Sequence, residues 1–190
     1  ESDHAAQALQ PMTGGVPPGW LDGDIAIVTG AGAGIGRAIA GHFAQAGAFV
    51  LALDKDGRAA ETCVAGLSGP GEAIAVDMAD RAAVRAAIES IASERGRIDI
   101  LVNNAGVYPM MPIDALDDAV WDRTFDINLR GAFVAMQAAA AHMKDGARIV
   151  NISSIDSLRP SAPGLGHYGA SKAALNALTR SAAIEYGPRG

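Results

Sequence analysis

The chain has 190 residues, 49% of them hydrophobic and 19% charged, which suits one compact domain and excludes a disordered tail. Its formal net charge of -6, with acids and bases interspersed, leaves no basic face for a nucleic-acid backbone, so no nucleic-acid partner is expected. The single cysteine, Cys63, excludes an internal disulfide and a cysteine-rich metal site; it reads as a small buried hydrophobe in a reducing, cytoplasmic compartment.

Residues 1–21 carry Pro11, Gly14, Gly15, Pro17, Pro18 and Gly19 without a sustained apolar period, and read as a flexible arm ahead of a folded domain at 22–190. The absence of an initial Met points to processing or trimming. From Asp24 onward, short β-rich runs alternate with longer alanine-rich stretches. The spacing predicts strands at 25–29, 49–53, 73–77, 98–103 and 148–152, each apolar on both faces as a helix-covered sheet requires. Helices are predicted over 36–46, 58–67, 81–94, 117–143 and 168–185, with Gly47, Gly96, Gly146 and Gly187 as stop signals. No apolar run, the longest being 132–141, approaches the roughly 20 residues that cross a bilayer, and the N-terminus is unlike an export signal. No membrane partner is therefore expected.

The first strand leads through Thr29-Gly30-Ala31-Gly32-Ala33-Gly34-Ile35-Gly36 into a helix. Glycines there let backbone amides and a helix N-terminus meet a pyrophosphate, so Gly30, Gly32, Gly34, Ile35 and Gly36 are candidate cofactor contacts. The spacing is Thr-Gly-x-x-x-Gly-x-Gly, not the dinucleotide fingerprint with glycine at relative positions one, three and six. Asp54, some twenty residues beyond, closes the second strand where a carboxylate accepts from both adenosine ribose hydroxyls and repels a 2'-phosphate. NAD is thus favoured over NADP, helped by Ala33 where a basic residue would pair with the phosphate and opposed by Lys55. Asp77 closes the third strand, facing the adenine edge or serving a turn. Asn103-Asn104-Ala105-Gly106 ends the fourth, where Asn104, Ala105 and Gly106 bring small groups close to a cofactor.

Asn128 lies within a helical stretch, Ser153-Ser154 follows the fifth strand, and Tyr168 and Lys172 open the last helix at i and i+4, on one face. An ammonium beside a phenol favours phenolate; moving a tyrosine from about 10 to near 7 takes roughly 4 kcal/mol, within reach of a desolvated cation and a positive nicotinamide. His167 abuts Tyr168 as a pocket-wall or solvent-facing residue, while His4, His42 and His142 lack metal-ligand spacing, so no metal site is predicted. Tyr108, Met110 and Met111 form either a pocket floor or core filler, and Asp156 and Arg159 flank the same region.

Taken together and in order, the glycine loop, Asn-Asn-Ala-Gly, the helix asparagine, the serine and Tyr-x-x-x-Lys resemble the short-chain dehydrogenase/reductase (SDR) family over about 24–190. The resemblance implies Tyr168 as acid/base, Lys172 as its helper and a nicotinamide-ribose contact, Ser154 as the carbonyl or alcohol anchor, and Asn128 as support of a relay water. Ser153 is expected to face away. It implies an α/β, Rossmann-type doubly wound parallel sheet, order 3-2-1-4-5, with the cofactor across its carboxyl ends. The implied function is NAD-dependent hydride transfer between a secondary alcohol or ketone, a small-molecule substrate, and the nicotinamide. A 3-oxoacyl-carrier-protein-type reductase, usually NADPH-linked, is the alternative, and a non-catalytic NAD-binding protein is a rival of another class. By the same analogy, helices 117–143 and 168–185 form the seam of a homodimer within a homotetramer. Gly190 falls where members of the family enter a sixth strand and a substrate lid, so the chain reads as a fragment whose C-terminal part is absent.

Overall fold

The computed structural model describes Pro17 and residues 19–190; most of the arm predicted over 1–21 lies outside the described residues. Leu21 belongs to the fold: its N–H donates to Ala46 O at 2.9 Å, and its side chain packs on a core layer with Ala44 and Val50.

Five parallel strands, β1 (Ile25–Thr29), β2 (Phe49–Asp54), β3 (Gly71–Ala75), β4 (Ile100–Asn103) and β5 (Arg148–Asn151), form one sheet in the order β3-β2-β1-β4-β5. Order and direction match the sequence reading. Alternation along β1 splits the core. Ile27, with Leu51, Leu53 and Leu101, faces the layer of α3 (Arg81–Arg95) and α5 (Ala132–Ala140), while Ala26 and Val28 face Ala40 of α1 (Gly34–Gln45) and Cys63 of α2 (Gly57–Ala65). Each fully buried Leu or Ile contributes about 1.5–3 kcal/mol. Cys63 sits in this second layer, as the composition suggested.

Four expectations need correction. β3 begins and ends two residues earlier than predicted, so Asp77 lies beyond the strand, in the turn toward α3. β3 and β5 flank the sheet and are not apolar and covered on both faces: β3 is half-buried, and Val150 of β5 is 45% exposed. The helix predicted over 117–143 is α4 (Asp118–Phe125), a wide π-turn at Asp126–Gly131, and α5, which stops at Ala140. Gly146 does not stop that helix, whose C-cap is Ala141, whereas Gly187 does follow α6 (Gly166–Tyr186) as its C-cap, right-handed at φ -51° and running on into a 3-10 turn.

Capping sets α2, α3 and α4 apart from α1. Asp56, Asp80 and Asp117 accept backbone N–H bonds at the starts of α2, α3 and α4. At the start of α1 stands Ala33, which has no capping group, so its first-turn N–H groups are left for a ligand.

Candidate active site

A cavity of about 520 Å³ opens at the carboxyl ends of β1, β2 and β4, where the strand order reverses. Gly30, Gly34, Ile35, Asp54, Asp77, Asn104, Ala105, Gly106, Tyr168 and Lys172 line it. Four other predicted residues, Gly32, Gly36, Asn128 and Ser154, stand outside its wall.

The two absent glycines act by close approach. A Cβ on Gly36 would lie 2.2 Å from Gly30 O, and one on Gly32 would lie 2.7 Å from Ala59 Cβ and 2.8 Å from Asp54 Oδ2. A Cβ on Gly34 meets nothing within 4 Å, so this residue borders open space in front of α1. Backbone amides without side chains at an uncapped helix start fit a diphosphate. The loop is braced from two sides: Asn104 Nδ2 donates to the carbonyls of Thr29 and Gly30 at 3.0 and 3.1 Å, and Gly32 N–H donates to Asp54 Oδ2 at 2.9 Å. Thr29 Oγ1 accepts from Asn104 N and Ala105 N, both at 3.1 Å, tying the Asn-Asn-Ala-Gly turn to β1.

At one end, Asp54 Oδ1 also accepts from Asp56 N at 3.0 Å, and each oxygen keeps a further lone pair for a hydroxyl donor. Lys55 lines the same region. Asp77 is engaged in its turn: it accepts from Ala79 N at 2.9 Å and pairs with Arg123 at 3.1 Å, bonds that hold its carboxyl below the usual range.

At the other end, Tyr168 packs its ring 5.8 Å from that of Tyr108, and Lys172 Nζ lies 5.9 Å from the Tyr168 ring centroid. Lys172 is buried, with its ammonium donating to Ile152 O at 2.7 Å. Desolvation moves it from 10.5 to about 8. Below about pH 8 folded and unfolded chains both carry the proton, and the fold bears the full cost of the buried cation. From about 8 to 10.5 only the unfolded chain keeps it, so this group's contribution to stability rises with pH across that window. Lys172→Met, apolar and of similar length, is therefore expected to raise unfolding free energy at pH 7 by about 2 kcal/mol, net of the bond to Ile152. Denaturant titrations at pH 7 and 10 check this; a less stable variant at pH 7 would show that the ammonium stabilises the fold.

Asn128 sits in the π-turn with its amide taken up by protein. Nδ2 donates to Val107 O at 2.9 Å and to Ser171 Oγ at 3.0 Å, and Oδ1 accepts from Val107 N at 2.8 Å. Ser171 was not foreseen, although its place one turn along from His167 marks the buried face of α6. His167 itself is 1% exposed, which rules out the solvent-facing reading. Nor does Ser153 simply face away: it lines the cavity and its hydroxyl donates to Lys172 O at 3.4 Å. Ser154 starts the 3-10 turn Ile155–Ser157, with its hydroxyl on Asp156. Arg37 was also missed; its guanidinium donates to Gly32 O. Among the described residues no three His, Cys, Asp or Glu side chains cluster for a metal, and no helix is long and apolar enough to cross a membrane.

A dinucleotide cradle joined in one cavity to a Tyr-Lys pair defines the class, and comparison with known proteins supplies the lineage. The family profile described as short chain dehydrogenase matches residues 24–190. D-threitol dehydrogenase of Mycolicibacterium smegmatis is 42% identical over 178 residues, 90% of this chain and 67% of that protein. Galactitol 2-dehydrogenase of Agrobacterium fabrum is 38% identical over 167 residues, 86% of this chain and 65% of that protein. The crystal structure of a short chain dehydrogenase from Burkholderia cenocepacia in complex with NADP superposes with a TM-score of 0.86 at 42% identity, covering 90% of this chain and 71% of that one. The chain belongs to the short-chain dehydrogenase/reductase family, and spans about two thirds of the length of these two dehydrogenases.

Proposed function

We propose that the protein is an NAD-dependent oxidoreductase that interconverts a secondary alcohol and its ketone. The observation that carries this reading is the single cavity joining Asp54 at one end to Tyr168 and Lys172 at the other. A nicotinamide dinucleotide, when bound there, supplies or takes up the hydride. The residues do the rest. Tyr168 Oη takes the alcohol's proton or returns it to the ketone oxygen, Lys172 favours the phenolate while charged, Ser154 anchors the substrate oxygen, and Asn128 fixes the Val107 backbone against α6. Trp121 and Phe133, partly exposed on α4 and α5, support the seam of a homodimer or homotetramer.

The NADP in the Burkholderia cenocepacia structure, together with Lys55 here, favours a second reading in which NADP is the cofactor. Calorimetry of the whole protein separates them. NAD is expected to bind at least about tenfold more tightly, roughly 1.4 kcal/mol, because Asp54 gains ribose bonds with one and meets phosphate charge with the other. Asp54→Ala should bring the ratio toward one. Equal or reversed affinities in the unaltered protein would establish NADP, and cofactor binding without turnover of any alcohol would establish a non-catalytic binder.

A further inference from the structure

We infer that the substrate is an apolar secondary alcohol, one whose carbinol carbon carries a hydrocarbon chain or ring rather than further hydroxyls, and that Tyr108, Met110 and Ile113 form the wall that selects it. The inference rests on the reading of Tyr168 as the group that takes the alcohol's proton.

The loop that leaves β4 past Gly106 runs Val107-Tyr108-Pro109-Met110-Met111-Pro112-Ile113. None of these side chains carries a charge, an amide or, apart from the Tyr108 phenol, a hydroxyl. Tyr108, Met110 and Ile113 are nevertheless 67%, 66% and 81% exposed. On a freely swinging tip this would mean little, but the loop is pinned. Pro109 and Pro112 fix their own φ angles. Met111 N donates to Gly164 O at 2.9 Å, and a Cβ on Gly164 would lie 3.1 Å from Met111 N. A Cβ on Gly166, two residues before Tyr168, would lie 3.5 Å from Ile113 Cγ1 and 3.6 Å from Ile113 Cδ1. The Ile113 side chain therefore rests on the start of the helix that carries Tyr168.

The wall and the reacting group share one cavity, which names the substrate as the occupant. Tyr108 lines that cavity with Tyr168, their rings 5.8 Å apart and inclined at 58°. An alcohol that gives its proton to Tyr168 Oη brings the substituents of its carbinol carbon alongside the Tyr108 ring. A fixed, exposed apolar patch beside a reacting group is a binding wall. Each hydroxyl of a polyol laid on it gives up water and gains no partner, whereas each CH2 is better placed there than in water.

Kinetics of the whole protein with its preferred cofactor test this. From 2-propanol through 2-butanol and 2-pentanol to 2-hexanol, kcat/KM is expected to rise about threefold per added carbon. 2-Butanol should exceed threitol, a polyol of the same chain length, at least about tenfold. Tyr108→Ala and Ile113→Ser, both at exposed positions that tolerate change, should each reduce the rise to less than about twofold per carbon. Tyr108→Phe, which keeps the ring, should retain the rise, and so should Trp20→Ser, which alters an exposed apolar residue ahead of β1. A flat series in the unaltered protein, threitol used as well as 2-butanol, or an equal loss for every alcohol in Tyr108→Ala and Ile113→Ser with the rise intact overturns the inference. A flat series together with a smaller particle for Ile113→Ser in sedimentation overturns it in favour of a second copy of the chain on this wall. Efficient oxidation of threitol strikes the inference alone; if no alcohol is oxidised with either cofactor, the reading of Tyr168 falls and the inference with it.

Discussion

Tyr168→Phe is expected to lower kcat by about a thousandfold while leaving dinucleotide affinity within about twofold of the unaltered protein. The substitution removes one oxygen and keeps the ring that packs 5.8 Å from Tyr108, so the cavity wall survives and only the proton route is lost. Steady-state kinetics with the preferred alcohol and calorimetry of the cofactor measure the two effects separately. Tyr108 is the other phenol on this cavity, and Tyr108→Phe serves as the control. Full turnover in Tyr168→Phe with loss in Tyr108→Phe would move the acid/base role to Tyr108.

Gly36→Ala is expected to abolish tight cofactor binding, by about a hundredfold, and to cost about 1–3 kcal/mol of stability. Its new methyl would sit 2.2 Å from Gly30 O, and that carbonyl cannot retreat freely because Asn104 Nδ2 holds it at 3.1 Å. The clash lifts α1 from the loop whose amides it aligns. Gly41→Ala in the same helix provides the contrast: its methyl meets nothing within 4 Å, and the change should be neutral or stabilise by up to about 1 kcal/mol. Equal cofactor affinities in the two variants would show that the close approach at Gly36 does not shape the binding loop.

The strands and ten of the residues that line the cavity were legible from local pattern, and the sheet order from the family resemblance. Short runs apolar on both faces, separated by helices, leave few topologies, and glycines or short amides at strand ends mark backbone that must come near something. What was not legible depends on partners distant in sequence. Asn103 and Asn104 look alike in the chain, yet Asn104 clamps the glycine loop, while Asn103 donates to Asn151 across β4 and β5. Ser171 and Asn128 are 43 residues apart, so neither announces the other. Asp77 was read as a strand end because the apolar pattern persists to Val76; its own side chain closes the turn to Ala79.

The π-turn at Asp126–Gly131 stores a surplus residue between α4 and α5. A π-turn closes its hydrogen bond over one residue more than an α-turn, so the additional residue is absorbed where it sits and the helix beyond keeps its phase. Thr124 and Asn128 are buried upstream, Asn128 against α6, and Val134, Ala135 and Ala138 enter the core downstream. The segment therefore holds a change of chain length without passing it to either neighbour. Losing one residue here would let α4 and α5 join as one α-helix with the alanine face still turned to the sheet.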